Sequence, residues 1–500
     1  MFSKVLVANR GEIAVPINQP LRAMGIAPVA VYSDPDAGAP HVRTAREAVA
    51  LGGNAAEETY LDIPRLVRAA TDSGADAVHP GYGFLSENPH FARACLEAGI
   101  TFIGPTPESM ASLGDKLSSK DIAIAAGVPI VPSTPVCQPN DPAAAEFADQ
   151  WGLPVMVKAA AGGGGRGMRL VSTRDDLAAD MDLASREARA AFGDGRVFLE
   201  RYISNPRHVE VQVLADSSGH TIHLGERECS VQRRHQKIVE ETPSPALTPE
   251  LRQRMGSAAV AVARQAGYVN AGTVEFLLDS RTGEFYFLEM NARLQVEHPV
   301  TEAVLGLDLV EWQLRIANGE PLTLRQDDVQ PRGHAIECRI YAEDPYRDFV
   351  PSTGTLLRWQ PPSGPGLRLD SGVVQGQDVS IYYDPMLAKL IAWAPRRDLA
   401  LSRMEVALSQ FQVLGVITNI PLLRSVMRHS QFVHGDYDTG FLGWNPAVTH
   451  PSLPDETRQV ARALAAWAAA MPVDQSSRTP AGETPASPGP WQAAGARRLP

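Results

Sequence analysis

The stretch "EFYFLEMNARLQVEHPVTE", residues 284–302, alternates strictly from Leu288 onward. Leu288, Met290, Ala292, Leu294 and Val296 are apolar, and Glu289, Asn291, Arg293, Gln295 and Glu297 fall between them. In an extended chain this period of two sets two carboxylates, two amides and a guanidinium along one face. Just upstream, "GTVEFLLDSRTGEF" reads as a strand, the turn "DSRTG" and the start of the first stretch, which together make a hairpin. Folding about that turn places Glu275 opposite Glu289. Like charges directly across a sheet repel, and Val274, Phe276 and Leu277 draw Glu275 inward, so the pair requires a cation. Hard oxygen donors, joined by Asn291, suit Mg²⁺ or Mn²⁺ carrying phosphates. A half-exposed strand with a solvated polar face is the alternative.

A second feature favours the metal. "VKAAAGGGGRGMRLV" (157–171) holds Gly162 to Gly165 and Gly167 after Lys158 at the end of an apolar strand. Such a run brings backbone N–H groups close to phosphate oxygens, and Lys158 adds positive charge. Its spacing fits neither the P-loop nor the dinucleotide fingerprint. In "NPRHVEVQVLAD" (205–216), His208, Glu210 and Gln212 share one strand face, while Val209, Val211 and Val213 share the other. "RECSVQRRHQKIVEETPSP" (227–245) then gathers Arg227, Arg233, Arg234, His235 and Lys237, an anion-binding pocket in an otherwise acidic chain.

The chain has 500 residues, a net charge of −11 and 44% apolar residues. It is long enough for several domains with more than one core. Its charge recruits no nucleic acid, and no apolar run approaches the roughly 20 residues of a membrane span. The four cysteines, Cys95, Cys137, Cys229 and Cys338, are widely spaced and read as reduced thiols. "MFSKVLVANRGE" opens almost at once on a strand without signal-peptide character, so a cytoplasmic location is expected.

Short apolar strands alternate with helical stretches over residues 3–113 ("KVLVANRG", "PVAVYS", "ADAVHPGYG", "ITFIGP"), a parallel α/β pattern with polar residues at the strand ends. Strands return from about 333 to 445 as "HAIECRIYAE", "GTLLRW", "LRLDSGV" and "AKLIAWA", followed by a helix near 398–412. Residues 454–471 predict an amphipathic helix opening on Pro454, Asp455 and Glu456, and residues 472–500 a Pro/Ser/Ala-rich linker.

Taken together, "ANRGEIA", "HPGYGFLSEN", "KAAAGGGGRGM", "RECSVQRRHQK", "EFYFLEMNARLQVEHPVTE" and "DYDTGFL" resemble biotin carboxylase, of the ATP-grasp superfamily, over residues 1 to about 446. The resemblance implies an α/β (α+β) fold with a Rossmann-like N-terminal domain (1–114) and an ATP-grasp domain (115–325) with a lid at about 130–203. A β-rich C-terminal domain (333–446) and a helix with a tail (447–500) complete it. It implies ATP binding by Lys116, Lys158, the Gly164 and Gly165 backbone, Glu200, Arg201, Ile203, His208, Gln232, His235, Leu277 and Glu289. Glu275, Glu289 and Asn291 would hold Mg²⁺ or Mn²⁺. Lys237, Arg293, Gln295 and the Val296 backbone would surround bicarbonate, with Glu297 as its general base. Arg339 would stabilise the enolate of biotin, and Tyr82 lie near it. On that reading one strand face carries metal at one end and bicarbonate at the other, with successive positions about 6.6 Å apart. Bicarbonate attacks the γ-phosphate of ATP to give carboxyphosphate, whose CO₂ is captured by biotin. The expected setting is the first half-reaction of an acyl-CoA carboxylase, with a biotin carboxyl carrier and a carboxyltransferase as partners and a possible homodimer.

Two departures bear on this. The first helix contains Pro16 and Pro20, where the family has arginines nearby. A proline inside a helix costs about 3 kcal/mol, so the helix is expected to kink or stop short. No "AMKM" biotin-attachment motif occurs, and "GPWQAAGARRLP" resembles the start of the next segment of longer α-subunits, so either a separate subunit or the front of such a protein is expected. Two other readings stand beside this one: another ATP-grasp ligase, which has no use for "RLQVEHPVTE" or Arg339, and a nucleotide-binding scaffold.

Overall fold

The computed structural model describes residues 1–138, 141–160, 168–449 and 455–470. Near the N-terminus a five-stranded parallel sheet runs in the order Glu47–Ala50, Ala27–Tyr32, Lys4–Val7, Ala77–His79, Thr101–Phe102. Its central strand is apolar on both faces, with Val5, Leu6 and Val7 fully buried, as a sheet covered on both sides requires. Four of these strands are the ones the alternating pattern predicts; Glu47–Ala50, largely exposed, joins as an edge.

The helix expected to kink or stop short at its prolines is not cut short. It runs unbroken over Gly11–Ala23 with Pro16 and Pro20 inside it, both buried. Each proline deprives the carbonyl four residues back of its donor. Burial of Ala14, Ile17 and Leu21 against Val5 and Val7 holds the segment in place nonetheless, since packing of an apolar face supplies most helical stability in a folded protein.

The largest sheet has eight strands, all antiparallel: Glu284–Asn291, Asn270–Asp279, Arg207–Ala215, Thr221–Arg233, Gln236–Thr242, His334–Tyr341, Met386–Ala394 and Leu367–Ser371. It is continuous from the central region into the C-terminal one through the pairing of Gln236–Thr242 with His334–Tyr341. A separate three-stranded sheet, Met168–Val171, Val155–Ala159 and Val197–Arg201, carries Lys158 and Glu200. Residues 455–470 form a helix of their own unit, and the 472–500 linker lies outside the described residues. All four cysteines are buried and unpaired.

Candidate functional site

The hairpin predicted around "DSRTG" is present: Asn270–Asp279 pairs antiparallel with Glu284–Asn291, and Glu275 stands opposite Glu289 in register. The strand face does not continue as expected, however. The sheet ends at Asn291, and Arg293, Gln295 and Glu297 lie in a bend that leads into the helix His298–Leu305. The sequence alternation continues through the bend, but burial does not follow it: Ala292 and Leu294 are buried, Val296 is half-buried, and Gln295 and Glu297 are buried as well, so sequence period alone does not separate bend from strand. The polar side chains still converge, because they fold back over the neighbouring strands.

Lys237 is the centre of that convergence. Its ammonium lies 2.5 Å from Glu210 Oε2, 2.7 Å from Glu297 Oε1 and 2.9 Å from Glu275 Oε1. Arg339 donates to Glu240 Oε1 at 2.6 Å and lies 3.0 Å from Glu297 Oε2. Glu210 is held on its other side by the fully buried Arg227 at 2.6 Å. The result is a buried row of alternating charge, Arg227, Glu210, Lys237, Glu297, Arg339, Glu240. Within "RECSVQRRHQK", therefore, Arg227 turns inward, where it also donates to Gln212, Thr273 and Thr301.

Burial pushes the Glu297 carboxyl upward, but Lys237, Arg339 and Arg227 outweigh it and hold it well below the usual carboxylate range. Glu275 is likewise held low against burial, by Lys237 and by His208, whose Nε2 is 2.7 Å away. Glu289, exposed to the cavity, goes the other way: partial loss of water around it and the charge of Glu275 raise it. A carboxyl raised by a neighbouring carboxylate marks a place short of positive charge. Glu275 and Glu289 offer the hard carboxylate oxygens that Mg²⁺ or Mn²⁺ takes; beside them Asn291 donates to Glu275 at 3.0 Å, and its Oδ1 accepts from Arg293 at 3.0 Å. A tighter set, His208, Glu210 and Glu275, with donor atoms within 4.8 Å of one another, meets Lys237 instead.

Beside this row opens a cavity of about 790 Å³, the size of a nucleotide-scale site. Lys116, Lys158, Glu200, Arg201, Ile203, His208, Gln232, His235, Leu277 and Glu289 all line it. Gly164 and Gly165 lie outside the described residues. Ile203, Val131 and Leu277 form an apolar part of its wall; Lys158, which also lines it, contacts Glu200, as does Lys120 outside it. Between Thr221–Arg233 and Gln236–Thr242 the turn is Arg234–His235, with φ of 49° and 66°. Two non-glycine residues in left-handed conformation are strained, and here they deliver both side chains to the cavity.

Arg293 donates to Glu87 at 2.9 Å, to Asn291 at 3.0 Å and to Gln295 at 2.9 Å. Tyr82 is buried, its hydroxyl donating to Glu12 at 2.6 Å. The sequence alone puts Arg227 in the anion pocket and gives Glu240 no role. The structure adds what the sequence did not signal, that both lie in buried parts of their strands.

Three family profiles cover the chain. The biotin carboxylase N-terminal domain matches residues 1–110, the carbamoyl-phosphate synthase L chain ATP-binding domain residues 115–325, and the biotin carboxylase C-terminal domain residues 337–443. The chain belongs to the biotin carboxylase family. A biotin carboxylase from a Nostoc species is 51% identical over 441 residues, 88% of this chain and 98% of that one. Biotin carboxylase 1 of Bacillus subtilis is 48% identical over 442 residues, 88% of this chain and 98% of that one. Among solved structures, the biotin carboxylase domain dimer of Hydrogenobacter thermophilus 2-oxoglutarate carboxylase, in complex with MgADP, ADP and bicarbonate, has a TM-score of 0.85 and 48% identity. That match covers 91% of this chain and 100% of the other. Among the described residues no helix is long and apolar enough to cross a membrane.

Proposed function

We propose that this biotin carboxylase family member uses ATP and bicarbonate to carboxylate biotin on a carrier, as the first half-reaction of an acyl-CoA carboxylase. The observation that carries the reading is the Glu297 carboxylate, clamped between Lys237 and Arg339 next to a nucleotide-sized cavity.

In the proposal ATP lies in the cavity, its base against Ile203, Val131 and Leu277 and its phosphates toward Lys116 and Lys158. Glu275, Glu289 and Asn291 hold the Mg²⁺ or Mn²⁺, which when bound neutralises charge on the phosphate oxygens. Lys237, Arg293, Gln295 and the Val296 backbone hold bicarbonate. Glu297 takes its proton, and a bicarbonate oxygen attacks the γ-phosphorus as the bond to ADP breaks. In the free protein Glu297 is a weak base because Lys237, Arg339 and Arg227 together lower its proton affinity. A bound bicarbonate shares those cations and so raises the proton affinity of Glu297. Carboxyphosphate then releases CO₂, phosphate takes the ureido proton, and the ureido nitrogen bonds CO₂, with Arg339 stabilising the enolate oxygen and Tyr82 nearby. Holding donor and acceptor in one bend removes most of the entropy of encounter.

The test is ATP hydrolysis by the purified chain. It should require bicarbonate and rise on addition of free biotin. Turnover that needs bicarbonate but ignores biotin would point to another ATP-grasp ligase, and ATP binding without turnover to a scaffold. Adding candidate carrier and carboxyltransferase proteins with different acyl-CoA acceptors tests the finer assignment.

A further inference from the structure

Lys389 is a fully buried lysine in the middle of the apolar strand Met386–Ala394. It stands in register opposite Arg339 on one neighbouring strand and opposite Asp370 on the other. Two cations directly across a sheet repel, and a buried ammonium carries a large desolvation penalty, so this placement needs a reason.

Charge balance supplies part of it, since Lys389 is the leading cation acting on the buried carboxyls of Glu12, Asp370 and Glu337, but none of these is its nearest contact. Asp370 Oδ2 is 3.5 Å away and Glu12 Oε2 4.0 Å. Each of these acids has a closer partner of its own, Arg368 at 2.8 Å for Asp370 and the Tyr82 hydroxyl at 2.6 Å for Glu12. The shortest contact of the ammonium is instead with backbone: Lys389 Nζ donates to the carbonyl oxygen of Val296 at 2.8 Å. Directly across the strand pair, Arg339 reaches the carboxylate of the very next residue, Glu297, at 3.0 Å. Two opposite positions of the sheet thus grip consecutive residues of the bend that precedes the helix His298–Leu305. The bend has no strand ladder of its own to fix it.

We propose that Lys389 is a positioning residue: by holding the Val296 carbonyl it orients the Val296–Glu297 peptide and so aims the Glu297 carboxylate between Lys237 and Arg339. This rests on the role of Glu297 proposed above. Lys389 lines no part of the nucleotide cavity, so it acts on the bicarbonate half of the site and not on ATP binding.

The experiment is steady-state kinetics of biotin-stimulated ATP hydrolysis with Lys389→Met, which keeps the volume of the side chain and removes its donor. Outer supports of this kind are worth about 10–100-fold, so kcat should fall by that factor with KM for ATP within about twofold of the parent chain. The acid limb of the pH profile for bicarbonate should move to higher pH, because a displaced Glu297 loses part of the cations that keep it ionised. If the single variant fails to fold, the double variant Lys389→Met with Asp370→Asn removes the ammonium together with its nearest acid. Arg368 keeps Glu302 at 2.6 Å there, and the same split is expected. A folded variant with kcat unchanged, or with kcat and ATP binding lost together, overturns the proposal. Absence of biotin-stimulated turnover in the parent chain instead sinks the reading of the whole site.

Discussion

Glu275 and Glu289 are direct cross-strand partners, and their carboxyls are displaced in opposite directions. Lys237 and His208 hold Glu275 low against its burial, whereas partial loss of water and Glu275 itself push Glu289 up. The pair is therefore asymmetric: Glu275 is in contact with its cations, whereas Glu289 faces the cavity and, among the described residues, feels Lys116 without forming an ion pair. Replacement of Glu289 by Gln should raise the Mg²⁺ or Mn²⁺ concentration needed for half-maximal ATP turnover by at least about tenfold, the lower end of what even outer metal supports contribute. Titration of metal at saturating ATP checks this, and an unchanged midpoint would remove Glu289 from the metal site.

That pairing was legible because the turn residues "DSRTG" stand between two apolar segments, and folding about that turn sets Glu275 opposite Glu289. The exit from the sheet at Asn291 was not legible. Its polar and apolar residues keep alternating although the backbone leaves the sheet ahead of the helix His298–Leu305. The Pro16 and Pro20 helix shows the same limit from the other side, since a local rule predicts a kink or an early end, and buried contacts of Ile17 and Leu21 carry the helix to Ala23. The inward turn of Arg227 depends on register with Glu210 from a different strand, which no single segment encodes.

Arg227 gives a second prediction. It is completely buried, with four partners on three separate elements, and its charge faces Glu210. Removing one partner of a buried pair leaves an uncompensated charge and costs about 3–5 kcal/mol. Arg227→Met should accordingly melt well below the parent chain, a shift that thermal unfolding reads directly. A melting temperature within one degree would mean that Lys237 alone suffices for Glu210.

Glu241 joins the central strands to the C-terminal ones. It accepts from His334 at 2.5 Å, from Arg397 at 2.7 and 2.9 Å and from the Tyr437 hydroxyl at 2.5 Å. Burial pushes its carboxyl upward, but His334 and Arg397 outweigh burial and bring it down to about 2. An unfolded Glu titrates near 4.3, so between these values the unfolded chain binds more protons and stability rises with pH. The contribution, about 3 kcal/mol at 1.36 kcal/mol per unit, is complete above about pH 4.3 and fades as pH falls toward 2. Glu241→Gln should therefore lower the melting temperature most at neutral pH, and the gap to the parent should narrow steadily on acidification below pH 4.3. A gap that does not change with pH would place its origin in packing and not in charge.

Glu297 sets the sharpest test of the chemistry. Its carboxylate is wholly buried, touches Lys237 and Arg339 and receives the Cys229 thiol at 3.8 Å, and it does not line the cavity. Gln at this position keeps the size of the side chain but accepts no proton from bicarbonate. A positioned general base contributes about 10²–10⁴-fold, so biotin-stimulated turnover should fall by that factor. Because the nucleotide contacts lie elsewhere, the dissociation constant for ATP, measured by calorimetry, should stay within a few-fold of the parent value. Turnover within threefold of the parent would show that another group takes the proton, and Glu210, which shares Lys237 with Glu297 and is raised by burial, is the next residue to replace.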